Sequence, residues 1–162
     1  MMRRFRDLKS RTEASRAAAP AAEAFGREVI EHQERAVDEF PGLATASGLH
    51  PWRPGDPIPG NGRRVLVGVG SWSGYDLLLL DALADVVRSG KTGGDRVDVF
   101  QFWQDCSTQE QLDQFIPGMQ IQSIFHSPVV GVWEDGMLKQ TASGAEGRDL
   151  MTKLYGLSVS PG

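Results

Sequence analysis

SPVVGVWEDGMLKQTASG, residues 127–144, decides the fold of this 162-residue chain. A mostly apolar run, VVGVW, meets Asp135-Gly136 and is followed by a second strand-like run, MLKQTAS. Asp-Gly between two such runs is the strongest short hairpin signal, because a tight turn needs positive φ and these residues adopt it readily. Proline, strand, turn, strand, glycine and the helical pattern AEGRDLMTKLYG then fall in order. The last two strands are antiparallel neighbours, with a helix after them.

Upstream of residue 127 the element types alternate. RRVLVGVG (63–70) has the continuous apolar character of a buried strand, and DLLLLDALADVVRSG (76–90) that of a helix. Residues 90–94 form a turn, RVDVFQFW (96–103) a second strand, and STQEQLDQFI (107–116) a second helix. The order is β-α-β-α-β-β-α. Strands separated by helical crossovers favour parallel pairing, so a small mixed sheet flanked by helices is expected, an α/β fold.

Ahead of this domain, residues 1–40 are an N-terminal helical extension. Phe25, Val29, Ala36 and Phe40, with Ile30 and Val37 beside them, recur at three- and four-residue spacing and predict a helix over about 21–40. Pro20 falls in its first turn, and Pro41-Gly42 is expected to end it. The stripe must dock on the following domain, on a partner protein or on a second copy. Residues 41–62 carry five prolines and five glycines and predict an extended linker without helix or strand, pinned by Leu49, Trp52 and Ile58. The domain proper is expected over 63–156, with a tail at 157–162.

Composition narrows the function. Lys and Arg number 17 against 21 Asp and Glu, a net charge of -4, so the chain as a whole lacks the basic field that nucleic-acid binding requires. No apolar run approaches the roughly 18–20 residues that span a bilayer. Cys106 is the single cysteine, which excludes an intrachain disulfide and fits a reducing compartment. A cytoplasmic location is expected, with an organelle matrix as the alternative.

The element order resembles the thioredoxin fold, and two local features carry the resemblance over residues 63–155. Thioredoxins place Trp-Cys-Gly-Pro-Cys where a parallel strand meets a long helix; here Trp72, Ser73, Gly74, Tyr75 and Asp76 hold those positions. Trp and Gly match, whereas both cysteines are replaced. Thioredoxins also enter the final hairpin through a cis-proline facing that motif, which makes Pro128, preceded by Ser127, the corresponding residue. The resemblance implies a peptide-binding surface formed by Trp72, Ser73, Gly74, Tyr75, Asp76, Ser127 and Pro128, on which a substrate chain pairs with backbone beside the proline.

Dithiol exchange needs a thiolate and a resolving thiol. Ser73 is far less acidic than cysteine and forms no disulfide, and Asp76 does not replace the second thiol. Ser73-x-x-Asp76 instead has the spacing of a capping box, in which the serine oxygen accepts an N–H one turn on and the acid reaches back to the cap. Gly68-x-Gly70-x-x-x-Gly74 also suggests the glycines of a dinucleotide-binding loop. That pattern expects an acid about 20 residues on, and Asp105 lies well beyond it.

Cys106 is expected at the end of the second strand, on the edge that carries Ser73. A single-cysteine site would need a basic neighbour, for which His126 is the local candidate. A semi-buried inert thiol is the simpler reading. His32, His50 and His126 show no metal-ligand spacing, so neither a metal nor a cofactor is expected. Trp72, Tyr75, Trp103 and Trp133 are expected mainly in packing, and residues 148–153 on a solvated face. The sequence therefore predicts a redox-inactive module that binds a protein or peptide partner, with a thiol-dependent enzyme using Cys106 as the alternative.

Overall fold

The computed structural model describes residues 5, 39–52, 56–57, 60–70, 73–101 and 127–157. The expectations for residues 21–38, Ile58, Trp72, Cys106 and the helix at 107–116 lie outside them.

Strand β2, Arg63–Val69, is buried at every position after Arg63. Burial on both faces marks a central strand and explains its continuous apolar run. Parallel to it lies β3, Arg96–Gln101, and antiparallel on its other side β4, Val129–Glu134. The hairpin partner of β4 is β5, Met137–Ser143. Asp135 and Gly136 take φ of 48° and 80°, the doubly positive turn that Asp-Gly supports. Two helices follow their strands: α2, Gly74–Arg88, after β2, and α3, Gly144–Tyr155, after β5. With a short edge strand β1, His50–Pro51, parallel to β3, the sheet order is β1-β3-β2-β4-β5. This is a thioredoxin-like α/β fold.

Val65, Val67 and Val69 of β2, with Val97 and Val99 of β3 and Val130 and Val132 of β4, belong to one hydrophobic cluster. Their alternation puts them on one face, where Leu77, Leu80 and Leu83 of α2 and Leu150 and Met151 of α3 join them. Each such side chain contributes about 1.5–3 kcal/mol when fully buried. Arg64 and Asp98 alternate to the opposite face and are also buried, at 4% and 0% exposure.

The region before β2 differs from expectation. Residues 39–46 are helical, here α1, so Pro41-Gly42 does not end a helix. Proline's fixed φ is compatible with helix, and the Pro41 carbonyl is used, accepting the Thr45 hydroxyl at 2.9 Å. The helix stops instead at Ser47-Gly48, where Gly48 takes φ of 82°. Phe40, Leu43 and Ala44 lie in the main cluster, so this end of the apolar stripe docks on the domain itself. Phe40 also meets Phe5, with ring centroids 5.7 Å apart.

Residues 41–62 are likewise not free of regular structure. His50 pairs with Asp98 and Pro51 with Val99, and the Trp52 N–H donates to the Val99 carbonyl at 2.8 Å. An edge strand tolerates proline because only one of its sides is hydrogen-bonded. Leu49 and Trp52 are buried, as pinning requires. No helix among the described residues is long and apolar enough to cross a membrane.

Candidate functional site

The carboxyl end of β2 and the start of β4 meet at one edge of the sheet, since Gly68 pairs with Val129. That register sets Ser127-Pro128 beside Gly70 and the start of α2. The Ser127–Pro128 peptide bond is cis. The start of α3 closes the same corner, its Gly144 N–H donating to the Pro128 carbonyl at 2.9 Å. Gly147 completes the contact: a Cβ there would lie 2.7 Å from the Pro128 oxygen, so only glycine lets α3 approach so closely.

Ser73 caps α2 in extended conformation, and its Oγ accepts the Asp76 N–H at 3.2 Å. The expected capping box is only half formed. The Ser73 N–H donates to the Gly70 carbonyl at 3.0 Å, so it is not available to the acid. Asp76 turns inward instead, and its Oδ2 accepts the Gly70 N–H at 2.9 Å. The acid thereby ties the end of β2 to the first turn of α2. This also disposes of the phosphate-loop reading at Gly70, because the N–H that a phosphate would need is occupied by a carboxylate.

Asp76 is completely buried, and its Oδ1 has no hydrogen-bond partner among the described residues. Burial pushes its carboxyl above the ordinary range. The Gly70 N–H, the Ser127 and Ser73 hydroxyls and the charge of Arg148 pull the other way without cancelling that effect.

Two residues that frame the candidate site escaped the sequence. Arg148 of α3, expected on a solvated face, is half-buried with its guanidinium carbon 4.8 Å from the centroid of the Tyr75 ring. Gly147 precedes it. The Gly144-x-x-Gly147 spacing, two glycines in one helical turn, was the available signal for a close approach.

Ser73, Gly74, Tyr75, Asp76, Ser127 and Pro128 are therefore brought together, whereas Trp72 and Cys106 fall outside the described residues. Ser127 offers a further chemical feature. Its backbone N–H and carbonyl make no backbone hydrogen bond among the described residues, beside the end of a strand. Among the histidines, only His50 is described; it lies on β1 with Nδ1 2.8 Å from Asp98 Oδ1. Among the described residues no group of three or more His, Cys, Asp or Glu side chains is placed to hold a metal ion.

No protein-family model matches the chain, and no curated protein matches it. Among solved structures, one described as a yeast mitochondrial 1-Cys peroxiredoxin, studied for its thiol resolving mechanism via glutathione/thioredoxin systems, is similar at 14% identity. The match has a TM-score of 0.40 and covers 60% of this chain and 80% of that one. The fold assignment rests on strand order and connections, and the distant likeness assigns no residue of the corner.

Proposed function

We propose that the chain is a redox-inactive thioredoxin-like binding module, an adaptor, assembly factor or chaperone-like protein, that holds an extended peptide or protein segment at the Ser73/Pro128 corner. The observation that carries this reading is the backbone of Ser127, which makes no backbone hydrogen bond among the described residues, beside Pro128 and the Ser73 cap. An incoming strand can add its own N–H and carbonyl there, which is β-augmentation over a single residue pair. The positions where a dithiol mechanism would need sulfur hold a capping hydroxyl and a buried carboxylate committed to Gly70. Those groups serve the shape of the corner and supply no electron-transfer chemistry. A reducing setting, the cytoplasm or an organelle matrix, belongs to the same proposal because the sequence has one cysteine.

The test is panning a display library of unstructured decapeptides against the full chain, followed by amide hydrogen exchange with the selected peptide. Enrichment with slowed exchange at Ser127 is expected. Absence of enrichment, or protection confined to another surface, overturns the reading. Peroxide turnover or insulin-disulfide reduction that disappears in Cys106→Ser would establish the thiol enzyme in its place.

A further inference from the structure

We propose that Arg148 is the specificity-determining residue of this corner and that the segment bound there carries an acidic side chain, Asp or Glu, next to the residue held against Ser127. The inference rests on the binding-module reading and adds the chemistry of the partner.

Three observations carry it. First, Arg148 is placed rather than merely exposed. Gly147 brings α3 onto the Pro128 carbonyl, and the next residue is set over the Tyr75 ring in the first turn of α2. Stacking on an aromatic face restricts the guanidinium to an orientation from which its remaining donors can be used. Second, the fork has no carboxylate partner among the described residues. Among the described residues Arg148 has no ion pair and no side-chain hydrogen bond, although Glu146 and Asp149 are its exposed neighbours along α3. Asp76, whose carboxyl feels the Arg148 charge, is buried and already accepts the Gly70 N–H. Third, the helix starts that frame the corner favour an anion beside it. Arg148 stands at the fifth residue of α3 and over the first turn of α2, near the helix ends that favour negative charge.

A ligand carboxylate would answer the second and third of these observations. It can accept two parallel N–H bonds from the guanidinium, the strongest neutralising geometry available to arginine. The chain's net charge of -4 gives no long-range attraction for an acidic partner, so discrimination must come from this local pair. A basic segment would face the Arg148 guanidinium directly and is disfavoured.

Full-length wild type, Arg148→Gln and Arg148→Lys are panned against the same decapeptide library, with thermal unfolding confirming that each variant is folded. Wild type is expected to enrich Asp or Glu at one fixed position. The glutamine variant is expected to lose that preference while still enriching peptides, and the lysine variant to keep part of it. For a selected peptide, acid-to-amide replacement should weaken binding to wild type by about tenfold, as expected for one well-formed ion pair. The same replacement should have little effect on the glutamine variant. Equal losses in both proteins, or enriched peptides that protect Ser127 but contain no acid, would overturn the role of Arg148 and leave the binding-module reading intact. Failure of every variant to enrich any peptide would overturn both.

Discussion

Asp76 is a buried acid that ties the end of β2 to the first turn of α2. Its carboxyl is raised above its ordinary value of 3.8 chiefly by burial. A raised acid binds its proton more tightly in the folded than in the unfolded chain. Its contribution to stability is thus fully present below the unfolded value and is lost as pH rises through the folded one. Asp76→Asn cannot titrate and still offers an oxygen to the Gly70 N–H. Urea unfolding of both proteins across pH 4 to 8 should show wild type losing stability relative to the asparagine variant as pH rises; a constant difference would contradict the assignment. Gly147 is the second residue whose role is purely local. Alanine there meets the Pro128 carbonyl oxygen, a backbone atom that cannot swing aside. Overpacking of about 1–3 kcal/mol is opposed by up to ~1 kcal/mol of improved helix propensity. Net destabilisation, with changed amide signals at Ser127, is expected for Gly147→Ala; a stabilised protein would show that the corner yields easily.

At the scale of elements, the two helices that frame the corner begin differently. Ser73 makes a side-chain cap to α2, whereas Ser143 makes none to α3, whose Gly144 N–H goes to Pro128 instead. Ser73→Ala should therefore cost about 1 kcal/mol, within the usual 0.5–2 for a lost cap, and Ser143→Ala should stay within about 0.5 kcal/mol of wild type by chemical denaturation. Comparable losses at both would refute the distinction. The helix starts and the hairpin were legible because short-range chemistry specifies them: the capping Ser73, the Asp-Gly turn and the β-branched run of β2 each act within a few residues. The helix across Pro41-Gly42 was not, because tertiary burial of Phe40, Leu43 and Ala44 outweighs a local break signal. Strand β1 was hidden for the same reason. Two residues with a proline among them have no periodicity, and only pairing with β3 makes them a strand. At the corner, the spacing Ser73-x-x-Asp76 announced an N-cap correctly but misplaced the acid's partner, which depends on Gly70 having already taken the Ser73 N–H. Arg148 could not be read from its helix because its contact is with a residue more than seventy positions earlier.

Across the whole molecule, the sheet carries a charged group on the face opposite its main cluster, and this sets the most stringent stability prediction. Asp98 of β3 lies against Arg64 of the adjacent β2, with Nε 2.8 Å from Oδ2, and against His50 of β1. Arg96 approaches the same carboxylate at 3.3 Å. One acid thus links three strands. The Arg64–Asp98 contact is ionic rather than directional, because among the described residues neither Oδ2 nor Arg64 Nη2 has a hydrogen bond of acceptable geometry, while Nη1 donates to the Pro57 carbonyl. Burial pulls the Arg64 guanidinium below its ordinary value, with Asp98 opposing and Arg96 adding to that effect. Such a pair contributes little over an apolar alternative, yet removing one member leaves a buried charge, at a cost of about 3–5 kcal/mol. Asp98→Asn should fall in that range by urea unfolding. Arg64→Met together with Asp98→Asn should recover most of the loss, since the stranded guanidinium is gone. If the double variant is instead as unstable as the sum of two independent losses, Arg64 and Asp98 do not act as a charge pair, and the loss belongs to packing of the opposite face.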